Sequence, residues 1–388
     1  MKPAALADEL LQRLAHEHGT PLYAYHLPTA VDQVRRLAGE FDVVRYAQKA
    51  NAHPALLRAL RKAGAKIDAS SAGEVRRALE AGFAPEEIVL TCDLFDRDML
   101  ALIAEQPVGV NLGSPFQIEQ LARARPGAAA TLRINPGFGA GHDRRVTTGG
   151  LRSKHGVWYE DVPQSVRRAR EAGIALEGLH VHVGSGAPLA ALLRSRDVLR
   201  RAARELGDGL RVLSAGGGLT IPYRQGEPRF DVAGYATAWR ELRDSLPTRP
   251  TLEVEPGRYV AAECGVLITE VRGTKRVGPS EFVLVDAGFH NLIRPALYGS
   301  YHRITALGKR GEPLSPRCVA GPLCEAADVF TQDKEGGLQA QPLPALSEGD
   351  LLCIHDTGAY GASMASDYNL QRRAAEVALD AGGSEVAP

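Results

Sequence analysis

The feature that most constrains the fold is an alternation of short apolar runs with stretches of helical spacing, repeated eight times. The apolar runs are nearly continuous, as expected of parallel strands buried on both faces. In the stretches between them, apolar residues fall three or four positions apart, with charged residues on the opposite face. The eight runs are residues 42–47, 65–69, 86–91, 108–113, 129–135, 177–184, 211–217 and 251–257. Eight strand–helix units predict a (β/α)8 TIM barrel, and the alternative with the same alternation is an open, doubly wound α/β sheet.

The pattern changes after about residue 263, where helical spacing almost vanishes. Strand-like runs separated by Gly, Pro and Asp predict a C-terminal, mostly antiparallel β domain there. Residues 20–26 are also strand-like, and we expect them to pair with the C-terminal sheet because chain termini often lie close together. The predicted division is therefore a barrel over residues 27–262 and a second, β-sandwich or barrel-like domain made of residues 1–26 and 263–388.

Composition excludes several classes of function. Forty-six Lys and Arg balance 46 Asp and Glu, which argues against a long basic face for nucleic acid or a polybasic membrane patch. No apolar run approaches the ~20 residues of a membrane span. The first residues carry Asp8, Glu9 and Arg13 where a signal peptide needs an apolar core. The five cysteines are widely spaced without a CxxC pair, which fits a reducing compartment. We predict a cytoplasmic enzyme with no nucleic-acid or membrane partner.

Functional groups of a barrel lie at the carboxyl ends of its strands, and four of these ends are polar. The first strand is followed by Lys49, and a lysine just past a buried strand is partly withdrawn from water and can act as a nucleophile. The sixth ends in His180-Val181-His182 and a Gly-Ser-Gly turn. The seventh ends in Gly216-Gly217-Gly218, whose backbone N–H groups can hold a phosphate. The eighth ends in Glu253-Val254-Glu255, where carboxylates in an apolar strand need a partner such as a cofactor cation.

Each of these signals has an ordinary structural explanation when taken alone. The lysine could lie in a surface loop, the glycines could form a plain turn, and the histidines could bind a metal or lie hydrogen-bonded in the core. A metal needs a third ligand that no other strand end offers, so none is predicted. The glycines do not form a G-x-x-x-x-G-K-[ST] loop, so a nucleoside triphosphate is not expected. An amine, a phosphate cradle, a histidine for a ring face and a carboxylate for a ring N–H together suit pyridoxal 5'-phosphate (PLP).

A series of short motifs runs in order along the chain. They are residues 46–51 (YAQKAN), 133–137 (RINPG), 148–150 (TGG), 153–156 (SKHG), 182–186 (HVGSG), 216–219 (GGGL), 255–258 (EPGR), 286–288 (DAG), 294–298 (RPALY), 321–325 (GPLCE) and 356–361 (DTGAYG). Together they resemble the alanine-racemase-like, fold-type III PLP-dependent decarboxylases, which join a barrel to a C-terminal β domain. Within that group the chain resembles the diaminopimelate decarboxylases from about residue 20 to residue 369.

The resemblance implies roles in cofactor binding. Lys49 would attach PLP covalently, His182 would stack on its ring, and Glu255 would pair with the ring nitrogen. The remaining cofactor contacts would come from Ser185, Gly217, Gly218, Gly257, Arg258 and Tyr360.

The resemblance also implies roles towards the substrate. Cys324 would protonate the carbon that loses CO2, so that Lys49, His182, Glu255 and Cys324 form the catalytic set. In the family the Cys-Glu loop crosses a dimer interface, so Cys324 and Glu325, with Asp328, would complete the site of the partner in an obligatory homodimer. The substrate-binding residues would be Arg258, Arg294, Tyr298, Glu325 and Tyr360.

The activity implied by the resemblance is decarboxylation of meso-2,6-diaminopimelate at its D centre, giving L-lysine and CO2 in the last step of lysine biosynthesis. Arginine binds a carboxylate through its two-pronged donor geometry, and lysine or ornithine has no distal carboxylate for Arg294 to hold. Alternatives are a related decarboxylase acting on carboxynorspermidine, ornithine or lysine, a PLP-dependent racemase, and a non-catalytic binding protein. A racemase would need a tyrosine base opposite the lysine.

Three places depart from the family pattern. Ala326-Ala327 replaces a more usual Ser-Gly after Cys-Glu, and His155 stands where many relatives have Phe. After Tyr368-Asn369, relatives usually have an arginine two residues on, followed by prolines, whereas this chain has LQRRAA at residues 370–375.

Overall fold

The structure, a computed structural model, describes residues 6–141, 143, 145 and 147–388. It divides into two compact units. The barrel unit comprises residues 33–220 and 229–257, and the β unit comprises the described residues up to Asp32 together with 221–228 and 258–388.

The strands, in chain order, are β1 (Leu22–His26), β2 (Val43–Ala47), β3 (Lys66–Ala69), β4 (Ile88–Cys92), β5 (Gly109–Leu112), β6 (Ala129–Asn135), β7 (Val157–Trp158), β8 (Ala175–Val181), β9 (Val212–Ser214), β10 (Thr251–Val254), β11 (Gly265–Val277), β12 (Ser280–Val285), β13 (Ile304–Ala306), β14 (Ser315–Ala320), β15 (Gln341–Leu343), β16 (Leu351–Ile354), β17 (Ala375–Leu379) and β18 (Glu385–Val386). The α-helices are α1 (Asp8–His18), α2 (Leu27–Ala38), α3 (Pro54–Lys62), α4 (Ala72–Glu80), α5 (Arg97–Glu105), α6 (Gln117–Ala124), α7 (Val162–Glu171), α8 (Leu189–Leu206), α9 (Val232–Asp244), α10 (Arg258–Ala261) and α11 (Arg294–Tyr298).

The barrel unit contains a closed ring of eight parallel strands. Strands β2, β3, β4, β5, β6, β8, β9 and β10 pair in that order. Strand β10 then pairs with β2, with Glu253 opposite Val43 and Val254 opposite Val44. Each of the eight predicted apolar runs supplies one of these strands. The predicted TIM barrel is therefore confirmed, and the open sheet is excluded by the β10–β2 pairing.

Some of the barrel helices begin at residues whose side chains satisfy the free N–H groups of the first turn. The Ser71 side chain accepts the Glu74 N–H at the start of α4, and the Asp96 side chain accepts the Met99 N–H at the start of α5. Helix α3 begins with Pro54, which lacks an N–H that would need a partner. The connections after β2, β3, β4 and β5 are short, whereas longer segments separate β6 from α7 and β9 from α9.

The β unit is built on a sheet in the order β15-β14-β12-β11-β1-β17-β18, with β16 joining β11 to β13. Most neighbours are antiparallel, and β1–β17 and β12–β14 are parallel. Strand β1 lies between β11 and β17, so the predicted pairing of residues 20–26 with the C-terminal sheet is confirmed. Its core includes Leu11, Leu14 and Ile268.

The compact units assign residues 27–32, 221–228 and 258–262 to the β unit, whereas the sequence-based division placed them with the barrel. The physical reason is visible at Tyr223, whose hydroxyl is hydrogen-bonded to two arginines of the β unit.

None of the helices in the described part of the chain combines the length and the apolar character that crossing a bilayer requires.

Candidate active site

Lys49 lies in a single 3-10 turn that follows β2, at the carboxyl end of the barrel strand. The turn is fixed by its neighbours, because Gln48 Nε2 donates to the Glu74 carbonyl at 2.9 Å and Ala47 N donates to the Pro256 carbonyl at 3.1 Å. The Lys49 side chain is exposed, so the expectation that it is partly withdrawn from water is wrong. The short turn that carries Lys49 thus leaves its side chain accessible to solvent.

Two carboxylates lie within electrostatic range of the Lys49 ammonium. Burial, and then the neighbouring Glu255, raise the pKa of Asp68 to about 6, and Lys49 opposes that rise. Burial also raises the pKa of Glu74, with the Ser70 N–H and Lys49 acting in the opposite direction. Sequence reasoning missed both carboxylates. Asp68 lies in β3 and Glu74 lies in α4, the strand and helix that follow Lys49 in the chain.

His182 follows β8 and is held as a neutral ring. Its Nδ1 accepts the Gly217 N–H at 3.1 Å, so a neutral ring carries its proton on Nε2. Burial lowers the pKa of His182 well below its ordinary value, and the positive charges of Arg133 and Lys49 lower it further. The imidazole therefore offers an uncharged face.

The glycine turn after β9 is pressed against the turns that follow its neighbouring strands. A Cβ on Gly217 would lie 2.4 Å from the Glu255 carbonyl oxygen, and one on Gly218 would lie 2.5 Å from the Gly184 oxygen. Gly218 also has a φ of +104°, which side chains rarely adopt, and its carbonyl accepts the Gly186 N–H at 3.1 Å. Only glycine fits here, and the result is a cradle of backbone that suits a phosphate.

Glu255 is a buried carboxylate held by two neighbouring strands. His180 Nε2 lies 2.6 Å from its Oε2, and the Ser214 hydroxyl donates to its Oε1 at 2.8 Å. Burial raises the pKa of Glu255, but the charge and hydrogen bond of His180 and the hydrogen bond of Ser214 outweigh burial and bring the pKa to about 2. The group is therefore ionised at neutral pH and suits a cationic ring nitrogen. Sequence reasoning singled out His180 but did not predict that it holds Glu255, and it missed Ser214.

Glu253 has a different partner from the cofactor cation that the sequence suggested for this strand. Arg45 on β2 donates to both of its oxygens, at 2.7 and 2.8 Å. Both side chains are buried, so they form a two-pronged ion pair within the barrel. Glu253 thus has a structural role within the barrel.

A second cluster, within the β unit, gathers four of the residues predicted to bind substrate or cofactor. The buried Arg258 and Arg294 both donate to the hydroxyl oxygen of Tyr223, at 2.9 and 3.1 Å. The Tyr360 ring lies 5.6 Å from the Arg258 guanidinium carbon, and Tyr298 lies within electrostatic range of Arg258. Burial raises the pKa of Tyr223, but the two guanidinium groups outweigh it and the net pKa is lowered.

Sequence reasoning missed Tyr223, because it lies in an unremarkable loop after the glycine turn. The only signal was its place soon after a polar strand end.

Cys324 and Glu325 lie on an exposed loop of the β unit that follows β14. The Cys324 N–H donates to Asn369 Oδ1 at 3.0 Å, and the Tyr368 hydroxyl donates to Glu325 Oε2 at 3.4 Å. Asp328 is buried in the same loop, where its two oxygens accept the N–H groups of Phe289 and Leu323. The structure thus gives Asp328 a role in shaping its own loop.

The departures from the family pattern have local explanations in part. His155 Nδ1 contacts the Asp93 carboxylate, which also accepts the Gly156 N–H at 3.0 Å. The unusual run 370–375 leads into β17, which pairs with β1. Ala326-Ala327 is accommodated in the exposed loop.

The predicted site residues therefore form three groups. Lys49, His182 and Glu255 lie at carboxyl ends of barrel strands, together with Ser185, Gly217, Gly218 and Gly257. Arg258, Arg294, Tyr298 and Tyr360 cluster in the β unit. Cys324 and Glu325 lie on the exposed loop of that unit.

Comparisons with known proteins agree with this description. A family model described as "Pyridoxal-dependent decarboxylase, pyridoxal binding domain" matches residues 28–262. The diaminopimelate decarboxylase of Streptomyces coelicolor is 45% identical, over 97% of this chain and 88% of its own length. The Escherichia coli K12 diaminopimelate decarboxylase is 44% identical, over 98% of this chain and 94% of its own length.

Solved structures give the same result. A crystal structure of a diaminopimelate decarboxylase matches with a TM-score of 0.94 at 43% identity, covering 98% of this chain and 93% of the other. The Helicobacter pylori enzyme complexed with L-lysine matches with a TM-score of 0.88 at 29% identity, covering 95% and 94%. The chain belongs to the pyridoxal-dependent decarboxylases and, within them, to the diaminopimelate decarboxylase family.

Proposed function

We propose that this chain removes the carboxylate at the D centre of meso-2,6-diaminopimelate, giving L-lysine and CO2 in the last step of lysine biosynthesis. The observation that carries the proposal is the pair of buried arginines, Arg258 and Arg294, bridged by Tyr223. Arg294 is hydrogen-bonded to uncharged groups, and a buried cation is stabilised by an anionic partner, which a second substrate carboxylate supplies. Lysine and ornithine have no such group, which favours diaminopimelate as the substrate.

The cofactor would be PLP, held by the strand-end residues of the barrel unit. Lys49 would attach it covalently, the ionised Glu255 would face its ring nitrogen, and the neutral His182 would pack on its ring. The glycine cradle would bind its phosphate, with Ser185, Gly257 and Arg258 beside it. When bound, PLP supplies an electron-accepting ring that stabilises the electron pair left on the substrate carbon as CO2 departs.

The chain's own residues then complete the reaction. The C–C bond to the departing carboxylate breaks, CO2 leaves, and the Cys324 thiol gives its proton to the same carbon in its place. Arg258, Arg294, Tyr298 and Tyr360 would hold the distal end of the substrate, while Glu325 would bind the distal ammonium. The two-pronged geometry of arginine orients the molecule so that only one carboxylate is placed for removal.

We further propose a homodimer in which Cys324 and Glu325 enter the site of the partner. Both residues are exposed, and on the neighbouring segment Leu370 is 95% exposed. Together with the exposed ring of Tyr368, Leu370 forms an apolar surface beside the predicted catalytic loop, which suits packing of a second subunit. All five cysteines lie in the described part of the chain as free thiols, which supports a cytoplasmic location.

The test is a product assay with the full-length protein, added PLP and meso-diaminopimelate. Equal release of CO2 and L-lysine is expected, together with an absorbance band of bound PLP that Lys49→Ala lacks. Turnover of lysine, ornithine or carboxynorspermidine instead would overturn the substrate assignment. Inversion of the substrate without loss of CO2 would indicate a racemase, and absence of the PLP band would indicate a non-catalytic protein.

A further inference from the structure

The hydrogen bonds of Arg294 run to uncharged groups. Its side chain is 1% exposed, and it donates to Tyr223 Oη at 3.1 Å, to His302 Nε2 at 2.8 Å and to Ser300 Oγ at 3.3 Å. Within the described residues, no carboxylate forms an ion pair with Arg294. The guanidinium is thus aimed by hydrogen bonds without being neutralised.

The protonation state of His302 follows from these contacts. A guanidinium has donors only, so the His302 Nε2 facing it must accept and cannot carry a hydrogen. The hydrogen of the neutral ring is therefore on Nδ1, which lies 2.8 Å from the His355 carbonyl oxygen and donates to it. Burial, and then the charge of Arg294, lower the pKa of His302 well below its ordinary value. The ring is locked in one tautomer with both nitrogens engaged.

The ring is also fixed in orientation by packing. It lies edge-on to the Tyr223 ring, with centroids 5.5 Å apart and planes at 79°. His302 is itself 1% exposed, so water does not compete for its contact with Arg294. A rigid neutral acceptor holds the guanidinium in place at little cost to its positive charge, whereas a carboxylate at the same place would neutralise it.

We propose that His302 is a positioning residue that aims Arg294 while leaving its charge available, and that it thereby sets specificity for a substrate with a distal carboxylate. This inference rests on the proposed function, because the anion in question is the second carboxylate of diaminopimelate. His302 does not touch the reacting carbon in this proposal. Its effect is on binding of the distal end, which separates it from the residues assigned to bond breaking.

Three substitutions separate the two parts of the proposal. His302→Gln can place an amide oxygen near the position of Nε2, and so keeps an acceptor for Arg294. His302→Asn is shorter and reaches only the position of Nδ1, and so loses that acceptor. His302→Glu supplies an acceptor but adds the negative charge that the proposal excludes. A matched control is His26→Asn, at another buried histidine of the β unit, which is hydrogen-bonded to Thr29.

The measurement is steady-state kinetics of the PLP-loaded, full-length enzyme with meso-diaminopimelate, with PLP affinity and melting temperature recorded for each variant. His302→Asn is expected to raise KM about ten- to a hundredfold, the loss of one hydrogen bond to a charged group, while kcat changes much less. His302→Gln should restore most of the KM, and His302→Glu should raise KM at least as much as Asn. His26→Asn should leave KM unchanged.

The outcomes are distinguishable. If the wild type turns over diaminopimelate but His302→Glu binds it as well as His302→Gln, the proposal is overturned while the proposed function stands. The same holds if His302→Asn lowers kcat and the melting temperature without moving KM, since that is a structural effect. If the wild type does not turn over diaminopimelate, both the proposed function and this inference fail. Should His302→Asn not fold, the comparison of Gln with Glu decides.

Discussion

Replacing His180 by leucine should expose how strongly the barrel depends on the Glu255 carboxylate being ionised. In the structure the two side chains are buried and joined at 2.6 Å. The pKa of Glu255 falls from an ordinary value of 4.5 to about 2, so the ionised carboxylate stabilises the folded state. His180 provides the largest opposition to burial, so most of that stabilisation should disappear with it.

The sign of the pH dependence follows from the direction of the shift. A carboxylate with a depressed folded-state pKa stabilises above its unfolded pKa, and that stabilisation is lost as pH falls from about 4.5 towards 2. The Glu255 carboxylate of the wild type should therefore be ionised at both pH 7 and pH 5.5. In His180→Leu, burial is less opposed and the pKa of Glu255 rises, so the variant should be least stable at pH 7 and recover part of its loss at pH 5.5.

The assay is urea unfolding of the PLP-free protein at pH 7 and pH 5.5, with Ser214→Ala as the matched control. Ser214→Ala removes a hydrogen bond to the same carboxylate but no ring, and should cost about 1–2 kcal/mol. His180→Leu should cost about 2–3 kcal/mol at pH 7. Equal losses in His180→Leu at the two pH values, or no loss at pH 7, would refute this account of Glu255.

Three further predictions concern the glycine cradle, the exposed thiol and the buried ion pair. Gly218→Ala should weaken PLP binding at least tenfold in a spectroscopic titration, because the added Cβ would lie 2.5 Å from a backbone oxygen. The control is Gly226→Ala, which is also at positive φ but has open space around it and should bind PLP normally. Cys324→Ala should slow lysine formation strongly and leave PLP binding nearly intact, and an equal loss of both would contradict its role as proton donor. Glu253→Gln should lower the free energy of unfolding by about 3–5 kcal/mol, because it leaves the buried Arg45 charge without its partner. A double variant that also carries Arg45→Met should recover part of that loss. Full stability of the single variant would contradict the buried pair.

The sequence contained enough to predict the barrel because its signals are local. An apolar run reflects a strand buried on both faces, and helical spacing reflects a helix buried on one face. Each of the eight apolar runs forms a strand in the structure. Closure of the ring was different. It depends on pairing between β2 and β10, which lie about two hundred residues apart, and no local period distinguishes that pairing from an open sheet.

The strand ends illustrate the same limit for the site. Positions such as Lys49 and Glu255 could be singled out from their place after an apolar run. Their partners could not, since Ser214 and Asp68 are ordinary polar residues until the ring brings their strands beside those ends. The exposure of the Lys49 side chain was also decided by the turn, and the strand that precedes it gave no indication of it.

By itself, then, the sequence determined the order of the elements, the glycine-rich turns and the residue types available for chemistry, because these depend on neighbours in the chain. The tertiary structure decided which charges are compensated and which are left available. Glu253 is neutralised by Arg45, Glu255 is held ionised by His180, and Arg294 is aimed by the neutral His302. Each of these outcomes depends on contacts between segments distant in the chain, at distances of about 3 Å, where burial makes hydrogen bonds and charge strong.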